Sequence, residues 1–399
     1  MPRDHEEPRL TPPNADFYGF RSAVSEDERA IIDRVRAFAE AEVAPIIEKY
    51  WADGAFPFSL IPKIRELGIA GVGYEGFGCA GGSTLLSGFI ALELARVDSS
   101  IATFFGVHSG LAMGSIYLCG SDEQKQKWLP AMARFEKIGA FGLTEPLVGS
   151  GTAGGLMTTA KRKGNNWVLN GEKKWIGNAT FSDITIIWAR DVEDDQVKGF
   201  IVENRSPGFL AQKIENKMAL RVTQNALITL KDCKVPEANR LQRDRSFHDT
   251  ARVLRATRAG VAWEAVGCSM GAYEYALAYA QQRQQFGKPI GSFQMVQDML
   301  VKMLGNITAS LAMCFRLSQI QDGGGIGDEH ASLAKAFCTV KMRETVGLAR
   351  ELLGGNGILL DHHVARFVAD AEALYSYEGT REINTLIVGR AITGFSAFV

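Results

Sequence analysis

Near the C-terminus, Tyr377-Glu378-Gly379-Thr380 sets a carboxylate between an aromatic ring and a glycine, just ahead of a helical-looking run from Arg381 to Ile392. A carboxylate stripped of water in such a place can serve as a general base. Read alone, it can equally cap a turn as one of 45 acidic residues. Further signals are spread along the chain: Thr144-Glu145-Pro146 with Gly149-Ser150, Trp175, Arg283 with Phe286-Gly287, and Gly354-Gly355-Asn356-Gly357. A tryptophan near a strand end can cover a flat ring, and an arginine among small residues can pair with phosphate. A core tryptophan and a surface arginine are the plainer alternatives.

Other patterns lead away from chemistry. Gly149-Ser150-Gly151-Thr152-Ala153-Gly154 fits the glycine fingerprint of dinucleotide binders, with Glu172 near the distance for a ribose acid. That fingerprint needs a strand before it and a helix after it. Here Pro146 precedes it and β-rich sequence follows, so these glycines are better read as allowing close backbone approach to a ligand. His362 and His363 are adjacent and would not share a helix face as a zinc pair does, so no metal site is expected. Lys161-Arg162-Lys163 reads as a solvated turn.

The frame that must position these residues changes character twice. Ser25-Glu26-Asp27-Glu28 is a capping box. Apolar residues from Ile31 to Ile47 then recur at helical spacing. A second helix, from Leu60 to Leu67, should stop at Gly68, and residues 71–82 form a glycine-rich loop. Residues 83–97 and Val107 to Cys119 read as buried helices, and Ser121 with Gln124 opens another. From about 141 the period becomes β-like. Asn170-Gly171 predicts a tight hairpin turn, and Ile184–Ala189, Gly199–Val202 and Ala226–Leu230 read as strands. Long helical runs return at 249–284, 292–322 and 328–353, with Ser292 and Asp328 as expected caps. The expected division is a tail at 1–20, a helical domain at 21–140, a β domain at 141–245 and a helical bundle at 246–399.

With 399 residues, 46% of them hydrophobic, the chain can bury several cores. A net charge of -1 gives no pull toward nucleic acid or anionic membrane. No apolar run is expected to reach the length that spans a bilayer. Met1 to Asn14 lacks the features of a signal or transit peptide, and Ser396-Ala397-Phe398-Val399 is not a peroxisomal address. Six scattered cysteines without CxxC spacing read as free thiols, and the cytoplasm is the expected compartment.

Taken together and in order, Phe141-Gly142-Leu143-Thr144-Glu145-Pro146, Arg283-x-x-Phe286-Gly287, Leu353-Gly354-Gly355-Asn356-Gly357 and Tyr377-Glu378-Gly379-Thr380 resemble the acyl-CoA dehydrogenase family over nearly the whole chain. The resemblance implies an α+β multidomain fold: an N-terminal helical domain, a β-barrel-like middle domain and a C-terminal four-helix bundle. It also implies FAD, a homotetramer, and an acceptor such as electron-transfer flavoprotein. Glu378 matches the family's base, which removes an α-proton from an acyl-CoA while hydride leaves the β-carbon for flavin N5.

By the same resemblance, Phe141, Leu143, Thr144, Gly149 and Ser150 line the flavin, and Trp175, Ile176 and Gly177 flank it. Arg283, Phe286 and Gln294 reach FAD across a subunit interface, with Glu351 and Gly355 from the bundle. Thr380 and Glu382 hold the diphosphate–adenosine region, with Phe398 nearby. Arg258 matches an arginine near the CoA site. Ser150, Tyr377 and Gly379 border the thioester, and Ala102 and Thr103 lie in the acyl region with Phe104, Phe105 and His108 as neighbours.

Some positions depart from the family pattern. Gly151 replaces an aspartate, Gly177 a threonine, and Glu351 a neutral glutamine. Arg96-Val97-Asp98-Ser99 most resembles glutaryl-CoA dehydrogenases, which hold a distal carboxylate with an arginine where this chain has Ala102, and precede the motif with a glutamate where it has Ala95. An alanine cannot pair with a buried carboxylate, so a short, uncharged acyl chain is expected. Trp175 to Phe181 also resembles plant short-chain acyl-CoA oxidases. A glutaryl-CoA dehydrogenase, an oxidase with room for oxygen beside Gly177, and a non-catalytic acyl-CoA or flavin binder stand as alternatives.

Overall fold

The computed structural model describes residues 13–398, so Met1–Pro12, most of the expected tail, and Val399 lie outside the described residues. Ser25 caps α1 (Glu26–Phe38) by accepting from the Glu28 N–H. A π-helical turn links α1 to α2 (Ala44–Asp53), and α3 (Leu60–Leu67) ends at Gly68 with φ 65°. A small ribbon, β1 (Glu75–Gly76) with β2 (Cys79–Ala80), occupies the glycine-rich loop. Then come α4 (Thr84–Val97), α5 (Ser99–Phe105), α6 (Met113–Cys119) and α7 (Asp122–Ala133), the last with both halves of the Ser121/Gln124 capping box formed.

The middle of the chain curls into a seven-stranded sheet. Its strands are β3 (Gly139–Gly142), β4 (Thr159–Lys163), β5 (Asn166–Gly177), β6 (Ile184–Asp191), β7 (Val197–Glu203), β8 (Phe209–Lys213) and β9 (Asn225–Pro236). A short helix, α8 (Thr152–Gly155), sits between β3 and β4. The order is β3-β6-β4-β5-β9-β8, with β7 on β6; β3 and β4 run parallel to β6 and the other pairs are antiparallel. The sheet has its own core around Trp167, Leu169, Phe200, Ile228 and Val235.

The expected hairpin at Asn170-Gly171 is not there. The β4–β5 turn is at Gly164-Asn165, and β5 runs straight through Asn170-Gly171 as a bulge. Asn170 is engaged across the sheet, its Oδ1 accepting from the Asp232 N–H at 2.8 Å. Gly171 has φ 143°, and a Cβ there would lie 2.7 Å from Thr158 Cα. The pair therefore satisfies a crowded bulge, the other use of such residues. Lys161-Arg162-Lys163 ends β4 as exposed strand and does not form a turn.

The chain closes with α9 (Phe247–Gln282), the ribbon β10 (Gln284–Gln285) with β11 (Lys288–Pro289), α10 (Gln294–Asp322), α11 (Asp328–Leu352), α12 (Val364–Ser376) and α13 (Arg381–Thr393). Two expected caps move. Ser292 belongs to a 3-10 turn and donates to the Pro289 carbonyl, so Phe293 precedes α10; Gly327 occupies the cap of α11 and Asp328 starts its first turn.

α4 lies hard against α9. A Cβ on Gly267 would meet the Leu92 carbonyl at 2.2 Å and Ala95 Cβ at 3.0 Å; one on Gly271 would meet the Arg96 carbonyl at 2.1 Å. Ala95 is thus buried in a helix contact. Beside it, Arg96 pairs with Glu93 at 3.0 Å and with Glu274 of α9 at 2.7 Å. Asp98 caps α5 by accepting from the Ile101 N–H at 2.9 Å and pairs with Arg366 of α12 at 2.7 Å. The Arg-Val-Asp-Ser motif thereby fixes α5 between α4 and α12.

One expectation about length is corrected. Ser99–Cys119 and Gln294–Asp322 are both long and apolar enough, by length and composition, to cross a membrane. Ser99–Cys119 runs unbroken because a π-helical stretch, Gly106–Ala112, joins α5 to α6, and it is mostly buried within the fold. In Gln294–Asp322 a third of the apolar window is buried, 33%.

Candidate active site

A cavity of about 850 Å³ opens where the sheet, the α4–α6 helices and the bundle meet. Glu378 lines it from the turn between α12 and α13, with backbone φ 55°. A non-glycine residue in the left-handed region carries strain that its surroundings must hold. Lys335 of α11 supplies part of that hold, donating to the Tyr375 carbonyl at 2.7 Å and the Gly379 carbonyl at 2.8 Å. Asn384 Nδ2 also donates to the Gly379 carbonyl, at 2.9 Å, and Arg258 Nε reaches the Glu378 carbonyl at 3.3 Å.

The Glu378 carboxyl faces the cavity, yet enough protein surrounds it that desolvation pushes its pKa up; the Thr257 hydroxyl and the Arg258 and Lys335 charges oppose the rise. Thr257 donates to Glu378 Oε2 at 2.9 Å. The Glu378 N–H has no intramolecular acceptor among the described residues. A carbonyl oxygen brought beside the carboxylate would therefore find an unspent donor there.

The cavity gathers most of the expected sheet-side and acyl-side residues. Phe141, Leu143, Thr144, Gly149 and Ser150 line one wall, and Trp175, Ile176 and Gly177 another. Trp175 stands in a β5 bulge at φ 68°, its side chain half exposed to the opening. Ala102, Thr103, Arg258, Tyr377, Gly379 and Thr380, expected about the acyl chain and its neighbours, also line it. Phe105 lines the cavity, but Phe104 and His108 do not. Phe104 packs against Phe56 and Phe181, and His108 bridges the Met132 carbonyl and the Gly139 N–H. Both sit on the side of the helix turned toward the β domain. Burial holds the His108 pKa down at about 4, so it is neutral and structural.

The space at Gly177 is already partly filled: a Cβ there would meet Val107 Cγ2 at 3.2 Å. Glu145 turns away from the opening to pair with Lys173 at 2.8 Å and to accept from the Met157 and Thr158 N–H groups. Its role is to brace the Leu143–Thr144 wall, since Lys173 also donates to the Leu143 carbonyl at 2.9 Å.

The remaining expected residues lie outside this cavity. Arg283 and Phe286 stand on the exposed ribbon after α9, Phe286 90% exposed. Gln294, Glu351, Gly355, Glu382 and Phe398 are also on the surface of the chain. Three residues that hold the site carry little signal of their own: Lys335, Asn384 and Glu264. Glu264 lines the cavity and accepts from the Tyr377 hydroxyl. Its one mark in the sequence is a lone carboxylate seven residues after Thr257, on an otherwise apolar face of α9.

A strained, desolvated carboxylate thus faces a cavity large enough to take a flat ring together with a second ligand. Comparison with known proteins gives the family. The acyl-CoA dehydrogenase N-terminal domain matches residues 25–136, the middle domain residues 140–233 and the C-terminal domain residues 247–393. An acyl-CoA dehydrogenase of Bacillus subtilis (strain 168) is 34% identical, over 93% of this chain and 99% of its own. A glutaryl-CoA dehydrogenase of Mycobacterium smegmatis, solved in complex with FADH2, superposes with a TM-score of 0.94 at 34% identity, covering 98% of this chain and 100% of that one. Butyryl-CoA dehydrogenase of Megasphaera elsdenii superposes at 0.89 with 30% identity, over 92% and 98%. The chain belongs to the acyl-CoA dehydrogenase family, an FAD-dependent oxidoreductase family, and has its three-domain fold.

The residues present suit the flavin. The wall by Gly149 has open space, with nothing within 4 Å of a Cβ built there, and Trp175 offers a partly free indole beside the opening.

Proposed function

We propose that this protein removes hydrogen from the α and β carbons of a short, uncharged acyl-CoA, giving the trans-2-enoyl-CoA. The single observation that carries this is Glu378: a half-buried, desolvated carboxylate, held in a strained turn and hydrogen-bonded to Thr257, on a cavity that Ala102 also lines. FAD supplies the acceptor for the β-hydrogen when bound. The chain's own work is the proton. Desolvation makes Glu378 a stronger base than a carboxylate in water. The Glu378 N–H is free to bond the thioester oxygen, which stabilises the charge that develops as the α-proton leaves. Arg258 braces that turn through the Glu378 carbonyl, and the family resemblance sets it near the CoA site.

Ala102 is buried in the acyl wall and offers no partner to a distal carboxylate. The similarity to a glutaryl-CoA dehydrogenase favours oxidative decarboxylation of glutaryl-CoA as the second reading. Transfer to oxygen has less support, because Val107 fills much of the space beside Gly177. An electron-transfer flavoprotein as acceptor, no nucleic-acid or membrane partner, a homotetramer and a cytoplasmic setting complete the proposal. The exposed apolar side chains Met295, Val301, Ile392 and Phe395 on and beside α10 and α13 support the tetramer, and the six free cysteines support a reducing compartment.

The test is anaerobic bleaching of the bound flavin by butyryl-, isobutyryl-, hexanoyl- and glutaryl-CoA, repeated in air with a peroxide assay. Fastest bleaching by butyryl-CoA is expected. Faster bleaching by glutaryl-CoA, with CO₂ release, would select the second reading, and stoichiometric peroxide would select an oxidase.

A further inference from the structure

The cavity contains a second buried carboxylate that the reaction does not require. Along α9, Thr257, Val261 and Glu264 follow one another at helical spacing and all line the cavity. Thr257 holds the base, and burial deepens from it toward Val261 and Glu264. At the helical rise, Glu264 lies about 10 Å further along the axis than Thr257, beside Gly106 and, through Tyr377, near Thr103, which the family resemblance sets in the acyl region.

The surroundings of Glu264 leave it without a counter-charge. Oε2 accepts from the Tyr377 hydroxyl, which also lies 3.4 Å from Thr103 Oγ1. Oε1 faces Gly106, where a Cβ would approach it to 3.1 Å. No ion pair involves Glu264 among the described residues. The charged group that bears on it across the cavity is Glu378, of the same sign. Tyr377, from the turn after α12, is the other titratable group in contact, and its pKa is pushed well up by burial, so it remains a donor. Arg258 and Lys335 act on Glu378.

We propose that Glu264 is the specificity-determining residue of the acyl pocket, admitting uncharged acyl chains and rejecting a chain that ends in a carboxylate. This deepens the short-chain acyl-CoA reading and rests on it. An arginine at position 102 would reward a distal carboxylate; here alanine withholds the reward and Glu264 adds a penalty. Rejection by a placed like charge is a stronger filter than the mere absence of a partner. Burial lifts the Glu264 pKa to about 7, with the Tyr377 hydrogen bond opposing and Glu378 assisting. The penalty is thus switched on as pH rises through neutrality, while a distal carboxylate on the ligand stays ionised throughout.

The experiment measures dissociation constants for butyryl-CoA and glutaryl-CoA from the perturbation of the flavin spectrum. It uses the FAD-loaded Glu378→Gln enzyme, which should turn over too slowly to disturb the binding measurement and lacks the second titrating carboxylate. The ratio of glutaryl- to butyryl-CoA dissociation constants should rise about tenfold between pH 6 and pH 8. With Glu264→Gln added, which keeps an acceptor for Tyr377, the ratio should fall by a similar factor and become flat with pH. A ratio that is flat in the Glu378→Gln enzyme overturns the proposal even if the double variant fails to fold. A ratio unchanged by Glu264→Gln also overturns it. Binding of neither acyl-CoA overturns both this and the reading it rests on. Normal discrimination in an enzyme whose native form is not bleached by any acyl-CoA overturns that reading alone.

Discussion

At the scale of single residues, three groups set the acid–base character of the cavity: Thr257, Glu264 and Glu378. Thr257 donates to the charged form of the base, and hydrogen bonds to charged groups are worth about 1.5–3 kcal/mol, or about one to two pKa units. The Thr257→Val enzyme should therefore show its acidic limb of kcat/KM shifted upward by about one to two units, read from a pH–rate profile. Glu264 should leave its mark on stability. Its folded pKa, about 7, lies above the ordinary 4.5, so between those values the folded state holds a proton the unfolded state has released. The stabilisation is complete below pH 4.5 and is lost as pH rises through about 7. At pH 8 the buried charge costs on the order of 3 kcal/mol. Glu264→Gln should raise Tm relative to the native chain more at pH 8 than at pH 5, measured by thermal unfolding. Glu264 was not legible in the sequence, because a single carboxylate within Ala262-Trp263-Glu264-Ala265-Val266 becomes chemical only when α5 and the Tyr377 turn close over it.

At the scale of elements, the sequence reads best where one segment determines its own structure. The Ser25 and Ser121 caps and the Gly68 stop are local, and they form as expected. Asn170-Gly171 misleads because its conformation is set by Thr158 and Asp232, residues from neighbouring strands. Phe104 and His108 mislead for a similar reason: their positions along α5 and the π-helical stretch put them near the acyl region, but the helix turns them to the β domain. The Arg96–Ser99 motif was legible as a family feature, while its physical role as a brace needed Arg366 and Glu274 in place. The α4–α9 contact is the element on which the pocket depends, since these helices carry Ala95, Gly267, Gly271 and Glu264. Gly271→Ala pushes a methyl into the Arg96 carbonyl and the Phe367 ring. Overpacking of this kind costs about 1–3 kcal/mol, and the variant should melt several degrees lower in a thermal scan of the holoenzyme.

At the scale of the whole molecule, Arg283 and Phe286 project from the ribbon after α9, exposed and outside the cavity. The family resemblance assigns those residues to FAD in a neighbouring subunit, which would cover a phenylalanine that is 90% exposed on the single chain. A tetramer should appear in light scattering as four times the 43.5 kDa chain. Arg283→Ala should lower the flavin-to-protein ratio after dialysis, with FAD held about tenfold less tightly if one charge-assisted contact is lost. A monomer that retains full FAD would contradict that assignment. The order of helical, β and helical regions was legible from the change of hydrophobic period alone, because long bundle helices and alternating strands each bury a face that their own sequence encodes. The proposed assembly rests on resemblance, since an exposed apolar residue looks the same in the sequence whether a partner covers it or not.

The central claim is that Glu378 takes the α-proton of an uncharged short acyl-CoA. Anaerobic stopped-flow mixing with butyryl-CoA, following flavin absorbance, tests it most directly. The native enzyme should bleach within its turnover time. Glu378→Gln, with FAD and butyryl-CoA still bound, should bleach at least about 10²–10⁴-fold more slowly. Equal bleaching rates for the two proteins would contradict the account.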